Sequence, residues 1–280
     1  MAGNAITTRQ RTGRRRWLAL AFAALVCNGA LAQPACDRPL KVAVSDLGLG
    51  SYMDQGQIRG LIPDLVNELQ ARTGCPFELV FLPRARALVD FDRGAVDVIT
   101  SMLRTRERDR LGAYLPYGYT KHDLLVVPEA ATGLRGLADI VRRPELTLGV
   151  VRGIRTNSRV DAHLEQLLAI RRAEYSADFA NLATKLAARR VQVALMPNAV
   201  HVKLRRDGVL PSDLVIVDEP EARPQVLGLY VNRQAVSART IALLDKRLTE
   251  MVKSGWVHQC YVQHFGEAET RRMDNAVNAR

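Results

Sequence analysis

Residues 94–127 read GAVDVITSMLRTRERDRLGAYLPYGYTKHDLLVV, and how this stretch divides decides the fold. Val96, Val98 and Ile99 make a short buried strand, a polar loop follows, and Arg104 to Arg110 form a strongly basic segment. A Pro116-Tyr117 turn then leads into a second apolar run ending at Val127. Polar groups just past the C-terminal end of a strand stand where open α/β sheets bind ligands. Ser101, Thr105 and Arg108 occupy that place here.

Outward from this stretch, strands alternate with helices. Upstream, the strand Leu40 to Val44 enters a Gly-rich loop, 46–60, that holds Asp46 and Tyr52. A helix follows with Ile62, Leu65, Val66 and Leu69 on one face, Pro63 in its first turn and Gly74 as its stop. The strand Phe77 to Leu82 and a helix opened by Pro83-Arg84-Ala85-Arg86 complete a strand–helix–strand–helix–strand run. Such spacing implies right-handed parallel crossovers and a doubly wound sheet.

Downstream, a small-residue linker at 128–132 opens a second α/β series. Its strands fall near 146–151, 170–174, 191–196 and 214–217, with helices at 160–168, 179–188 and 199–206. The chain then returns through a strand, Gln225 to Val231, and a helix capped by Ser237 with Ile241, Leu244, Leu248 and Met251 in one stripe. Gly255-Trp256 begins a last helix through Phe265, and the polar residues 267–280 are expected to be a flexible tail.

The N-terminal end reads as an export leader, residues 1–32. Five arginines precede the apolar run Trp17 to Val26, which is too short to span a bilayer, and Ala30-Leu31-Ala32 forms a cleavage site. The expected product begins at Gln33 and is periplasmic. Removing the leader's five arginines from the 40 basic residues leaves 35 against 29 acids, a formal charge of +6. The basic residues are scattered without an aromatic-interleaved stripe, which argues for a solvated surface and against nucleic acid.

Three cysteines remain in that product. Cys36 and Cys75 each precede a strand, and if those strands are parallel neighbours both thiols meet at one sheet edge. An oxidising compartment then favours a Cys36–Cys75 disulfide. Cys260 is left as a buried free thiol.

The chain resembles the family-3 extracytoplasmic solute-binding proteins. The matching pieces are Gly94 with Asp97, Ser101, Thr105 with Arg108, and Tyr114 with Pro116 and Tyr117. The resemblance implies a two-lobed periplasmic binding protein fold of type II, each lobe an open, mostly parallel sheet flanked by helices. Lobe 1 would be 33–126 and 222–266, lobe 2 127–221, with hinge crossings near 124–130 and 218–226. By the same resemblance Arg108 clamps a carboxylate through its guanidinium fork, and Ser101 donates beside it. The turn Gly153 to Thr156 with Arg155 closes from the second lobe. Tyr52 covers the ligand, Asp46 stands in the same loop, and Arg86 faces the cleft. The implied partners are a small-molecule solute and an inner-membrane ABC permease, with the protein a monomer that needs no cofactor or metal.

Two positions depart from the family pattern. Met196-Pro197-Asn198 stands where amino-acid receptors place a carboxylate for the ligand's ammonium, and Leu103 replaces a usual serine. A buried ammonium without a partner costs several kcal/mol, so the pattern points to a small polar, carboxylate-bearing solute, an amino acid or an organic acid such as a di-acid, with Asp46 the one candidate for the missing charge. A periplasmic sensory or accessory protein of the same fold is the first alternative, and a dehydratase of prephenate-like acids the second. Catalytic signatures are missing: the five histidines show no metal spacing and no G-x-S-x-G elbow exists.

Overall fold

The computed structural model describes residues 1–5, 36 and 38–278, with side chains to Met273. The expected leader and its cleavage after Ala32 lie almost wholly outside the described residues. The unit formed by residues 34–280 holds every element named below.

β1 (Leu40–Val44) leads through a short 3₁₀ turn to the hairpin β2 (Tyr52–Asp54) and β3 (Gln57–Arg59). Then come α1 (Leu61–Thr73), β4 (Phe77–Phe81), α2 (Arg84–Asp92), β5 (Val98–Leu103), α3 (Arg106–Leu111) and β6 (Gly112–Thr120). The second series is β7 (His122–Val126), α4 (Pro128–Ala131), α5 (Leu137–Arg142), β8 (Leu148–Val151), α6 (Ser158–Ala169), β9 (Ala173–Ser176), α7 (Phe179–Ala187), β10 (Val193–Pro197), α8 (Asn198–Arg206) and β11 (Val215–Asp218). The chain closes with β12 (Gln225–Asn232), α9 (Ala238–Lys253), α10 (Trp256–Phe265) and α11 (Glu267–Asn278).

Two five-stranded sheets result, ordered β4-β1-β5-β12-β6 and β11-β7-β10-β8-β9. The α/β crossovers are parallel (β1 with β4 and β5, β8 with β9 and β10), as the strand–helix spacing requires. The strands that enter and leave each series, β12 and β7, pair antiparallel. Each sheet packs its helices over its own core, one around Leu65, Leu69 and Leu248, the other around Leu125, Leu182 and Leu186. This is the two-lobed α/β architecture expected from the sequence, but each sheet is mixed rather than mostly parallel, because the strands entering and leaving it pair antiparallel.

Local chemistry sets the ends of the elements. Thr105 accepts from the Arg108 N–H, Asn157 from Arg159 and Val160, and Ser237 from Thr240, each satisfying donors the first helical turn leaves open. Gly74 ends α1 in the left-handed conformation, its N–H on the Gln70 carbonyl. Asp97 of the signature stretch is buried and structural: it accepts 2.7 and 2.5 Å bonds from the Arg38 guanidinium and one from the Lys41 N–H.

Three details differ from the sequence reading. Pro116-Tyr117 is no turn: both residues sit within β6, where the pairing register to β12 shifts, and a bulge tolerates a residue without an N–H. The chain leaves the first sheet at Lys121, because His122–Val126 pair with β10 and β11; the earlier boundary at 126 put that strand in the wrong sheet. The segment after Gly266 is not a loose tail but α11, with Thr270 and Met273 buried.

α11 places Met273 in the apolar core and is otherwise held by ions. Arg272 Nη2 lies 2.9 Å from Asp123 Oδ1 and 3.0 Å from Asp218 Oδ1, so one guanidinium joins β7 and β11. Lys121 Nζ bridges the same two carboxylates, at 3.2 and 2.6 Å. His201 Nε2 donates to Asp123 Oδ2 at 2.8 Å, and Asn198 donates to Glu269 at 3.1 Å. Asp123 and His201 are fully buried at the centre of this network.

Cys36 and Cys75 are bonded, closing a sequence separation of 39 beside the paired strands β1 and β4. Cutting that loop under reducing conditions is expected to cost about 2–4 kcal/mol, because the bridge restricts the unfolded chain. A thermal melt with and without reductant checks it, and coincident curves would contradict it.

Candidate functional site

A cavity with about 740 Å³ of empty space, including its mouth, is lined by residues from the sides of both sheets. The first sheet's side contributes the turn after β1 (Leu47, Gly50), the first residues of α1 and α2, β5 (Ser101, Leu103), Arg108, β6, Leu227 and α10; the second contributes His122, the 153–155 turn, Pro197 and the start of α8. The 3₁₀ turn after β1 packs closely on α8. Gly48 adopts φ +60° there, and a Cβ would collide with the Ala199 carbonyl, so only glycine fits the contact.

Arg84 is the first residue of α2 after Pro83. Ala87 and Phe91 follow it at helical intervals of three and seven, so Arg84 shares the inward face and lines the cavity. It donates to Thr100 O at 2.9 Å and Ser101 O at 2.8 Å. These carbonyls are available because β5 bulges: Ser101 has φ +55°, and its pairing with β12 slips between Gly228 and Tyr230. A residue other than glycine in this conformation costs of order 1–3 kcal/mol, and such strain gathers at ligand sites. Ser101 Oγ lies 3.2 Å from Tyr117 Oη, also in the wall.

Arg108 enters from α3. Its guanidinium donates to Leu103 O at 3.2 Å and, among the described residues, lies within ion-pair distance of no carboxylate. Burial lowers the pKa of Arg84 to about 10, and the charge of Arg108 adds to the effect. Arg108 is lowered too, by burial first and by Arg155 among its neighbours. Two cations without counter-ions thus face one cavity, and an anion between them relieves both. The Tyr117 hydroxyl is driven up to about 12 by burial and stays a neutral donor.

Of the residues singled out from sequence, Arg108, Ser101, Gly153 and Arg155 line this cavity together. Arg155 is mostly exposed at the rim, 3.8 Å from Asp161. The other four are used elsewhere. Thr156 gives its hydroxyl to Asp161 at 2.6 Å. Tyr52 packs under Lys203, whose Nζ is 4.3 Å from the ring centroid, and Asp46 accepts from the Gly48 N–H. Arg86 points outward to Asp90, because two residues along a helix turn the side chain away from the face of Arg84.

Sequence reading missed Arg84 and His122. For Arg84 the available signal was its place as the first helical residue after a strand and a proline. His122 follows the crossing at Lys121, lines the cavity, and has a buried Nε2 without a protein partner. Burial holds its pKa down at about 4. The unfolded chain therefore takes up a proton near pH 6.5 that the folded chain refuses until about pH 4, so stability falls as pH falls through that window. The loss reaches at most roughly 3 kcal/mol. His122→Gln should flatten the slope of urea stability between pH 6.5 and 4; an unchanged slope would show that His122 is not its source.

The sequence of residues 40–267 matches the bacterial extracellular solute-binding proteins, family 3, and the chain belongs to that family. No curated protein sequence matches it. Among solved structures, a histidine kinase sensor domain with similarity to periplasmic binding proteins superposes with a TM-score of 0.70 at 17% identity, covering 83% of this chain and 97% of that one. The arginine-, lysine-, histidine-binding protein ArtJ from Geobacillus stearothermophilus gives 0.68 at 18%, covering 82% and 96%. The ancestral amino acid-binding protein AncCDT-1, a precursor of cyclohexadienyl dehydratase, gives 0.66 at 19%, covering 81% and 95%. At these identities the likeness is one of fold.

Proposed function

We propose that the protein is a periplasmic receptor for a small carboxylate-bearing solute, which it delivers to an inner-membrane ABC permease. One observation carries the reading: Arg84 and Arg108 face a cavity, neither has a carboxylate partner, and no described lining residue is Asp or Glu. In this reading residues 38–120 with 225–266 form one lobe and 121–224 the other, and the lobes close about the crossings at Lys121 and 219–224. Arg108 and Arg84 hold the anion, Ser101 and Tyr117 donate to it, and the Gly153–Arg155 turn covers it. The protein acts as a monomer without a cofactor.

A sensory or accessory role at a membrane receptor is the second reading, favoured by the fold likeness to a kinase sensor domain and by α11, which lies beyond the family match. Solute recognition by the cavity is common to both.

A thermal-shift screen of the secreted protein tests the proposal. At a concentration about 100 times its dissociation constant a solute stabilises by about 2.7 kcal/mol, roughly 5–10 °C for a chain of this size. The expected hits are carboxylates. Stabilisation by cationic amino acids alone, or by nothing in the library, would contradict it.

A further inference from the structure

The wall of the cavity says more about the solute than its charge. Around the two guanidinium groups the lining is largely apolar, with Leu47, Leu61, Ile62, Leu103, Ile154 and Phe265 among its residues. Nothing there can neutralise an ammonium. Of the acids beside the lining, Asp161 already accepts from the Thr156 hydroxyl and backbone N–H and lies 3.8 Å from Arg155, and Asp46, next to Leu47, accepts from the Gly48 N–H. At the end of β10 stands Pro197, followed by Asn198, whose side chain is committed to Lys121 and Glu269.

An α-ammonium here would be desolvated beside three arginines with no compensating charge. In the buried part of the wall a second carboxylate would meet mainly aliphatic and aromatic side chains; the remaining cation of the lining, Arg155, is exposed at the rim beside Asp161. The unmet polar atom of the wall is His122 Nε2. It belongs to a neutral ring, which can exchange one hydrogen bond with an uncharged oxygen but cannot replace a carboxylate as an ammonium's partner.

We propose that the solute is a monocarboxylate without an ammonium group, a 2-oxo or 2-hydroxy acid with an aromatic or branched aliphatic side chain, and that His122 reads the oxygen at C2. The inference rests on the carboxylate reading above. The carboxylate takes Arg84 and Arg108, the C2 oxygen takes His122, and the side chain fills the Leu/Ile/Phe wall. His122 is thus a specificity-determining residue: it satisfies an oxygen and leaves a nitrogen cation unpaired.

Isothermal titration of the full secreted chain with phenylpyruvate, phenyllactate, 3-phenylpropionate and phenylalanine separates the possibilities, with 4-methyl-2-oxopentanoate, leucine and succinate as a second set. The oxo or hydroxy acid is expected to bind at least about 100-fold tighter than the matching amino acid, and about 10-fold tighter than the acid lacking the C2 oxygen. His122→Ala should erase the second difference. His122→Gln, which keeps a hydrogen-bonding amide, should restore part of it and guards against a folding defect. An amino acid within 10-fold of its oxo acid overturns the inference, as does an Ala variant that still distinguishes phenylpyruvate from phenylpropionate. Succinate binding tightest overturns the apolar part. In each of these cases an affinity that still depends on Arg108 leaves the carboxylate reading standing; silence from every carboxylate overturns both.

Discussion

Arg108→Ala is expected to weaken carboxylate binding by about 2–5 kcal/mol, roughly 30- to several-thousand-fold, while leaving the fold intact. The size follows from geometry. The guanidinium sits in a partly buried wall, its own pKa already lowered by burial and by a neighbouring arginine, so an anion there meets a poorly solvated cation. Its sole protein hydrogen bond among the described residues, to Leu103 O, is a minor anchor, and the helix start depends on Thr105 and the backbone of residue 108 rather than on the side chain. Removing one of two adjacent cations should even ease Arg84, so the unliganded melting temperature should hold or rise. Arg108→Lys should recover only part of the affinity, since a point charge lacks the planar fork. Titration calorimetry against the tightest carboxylate checks the series; an Ala variant with wild-type affinity would remove Arg108 from the site.

The largest stability effect is expected at Asp123. Burial pushes its pKa up, but the His201 hydrogen bond and the charges of Lys121 and Arg272 outweigh it and hold the carboxyl well below the usual range. Asp123→Ala leaves those partners without the anion they share, and breaking a buried ion cluster from one side costs about 3–5 kcal/mol. Asp218→Ala touches the same two cations, yet Asp218 is largely exposed, and the expected cost is under about 1 kcal/mol. The sign in acid follows from the depressed pKa: the contribution is complete above about pH 4 and is lost as pH falls toward the folded-state value. Urea unfolding of both variants provides the measurement, and equal losses would refute the central place given to Asp123. The loss should come with weaker solute binding, because the cluster ties both crossings and α11 together.

How much of this was legible in the sequence depended on the range of the interactions. Strand and helix order is local, written in alternating and helical apolar spacing and in caps such as Ser237 and Thr105, and it carried the two sheets. The frame around Ser101 and Arg108 was legible because the motif and the strand end coincide. Arg84 was hidden by a choice between two arginines two residues apart, which only the rotation of α2 about its axis decides. His122 was hidden by the crossing: its exposure to the cavity follows from which sheet β7 joins, a long-range pairing with β10. The helix after Gly266 looked like a frayed tail because Met273 is the one large apolar side chain among its described buried residues and ion pairs supply much of the rest of its anchoring. Arg272 is neutralised by Asp123, 149 positions away, and composition alone cannot disclose such a pairing. In the loop after β1, Leu47 and Gly50 line the cavity, Gly48 packs on Ala199, and Asp46 and Tyr52 meet Gly48 and Lys203, contacts that local sequence does not disclose.

The most direct test of the central claim is a crystal structure of the protein with its tightest carboxylate. The account predicts carboxylate oxygens about 2.7–2.9 Å from the guanidinium groups of both Arg84 and Arg108, between the two sheets. A solute seated elsewhere, or one turned with its carboxylate away from both arginines, would contradict it.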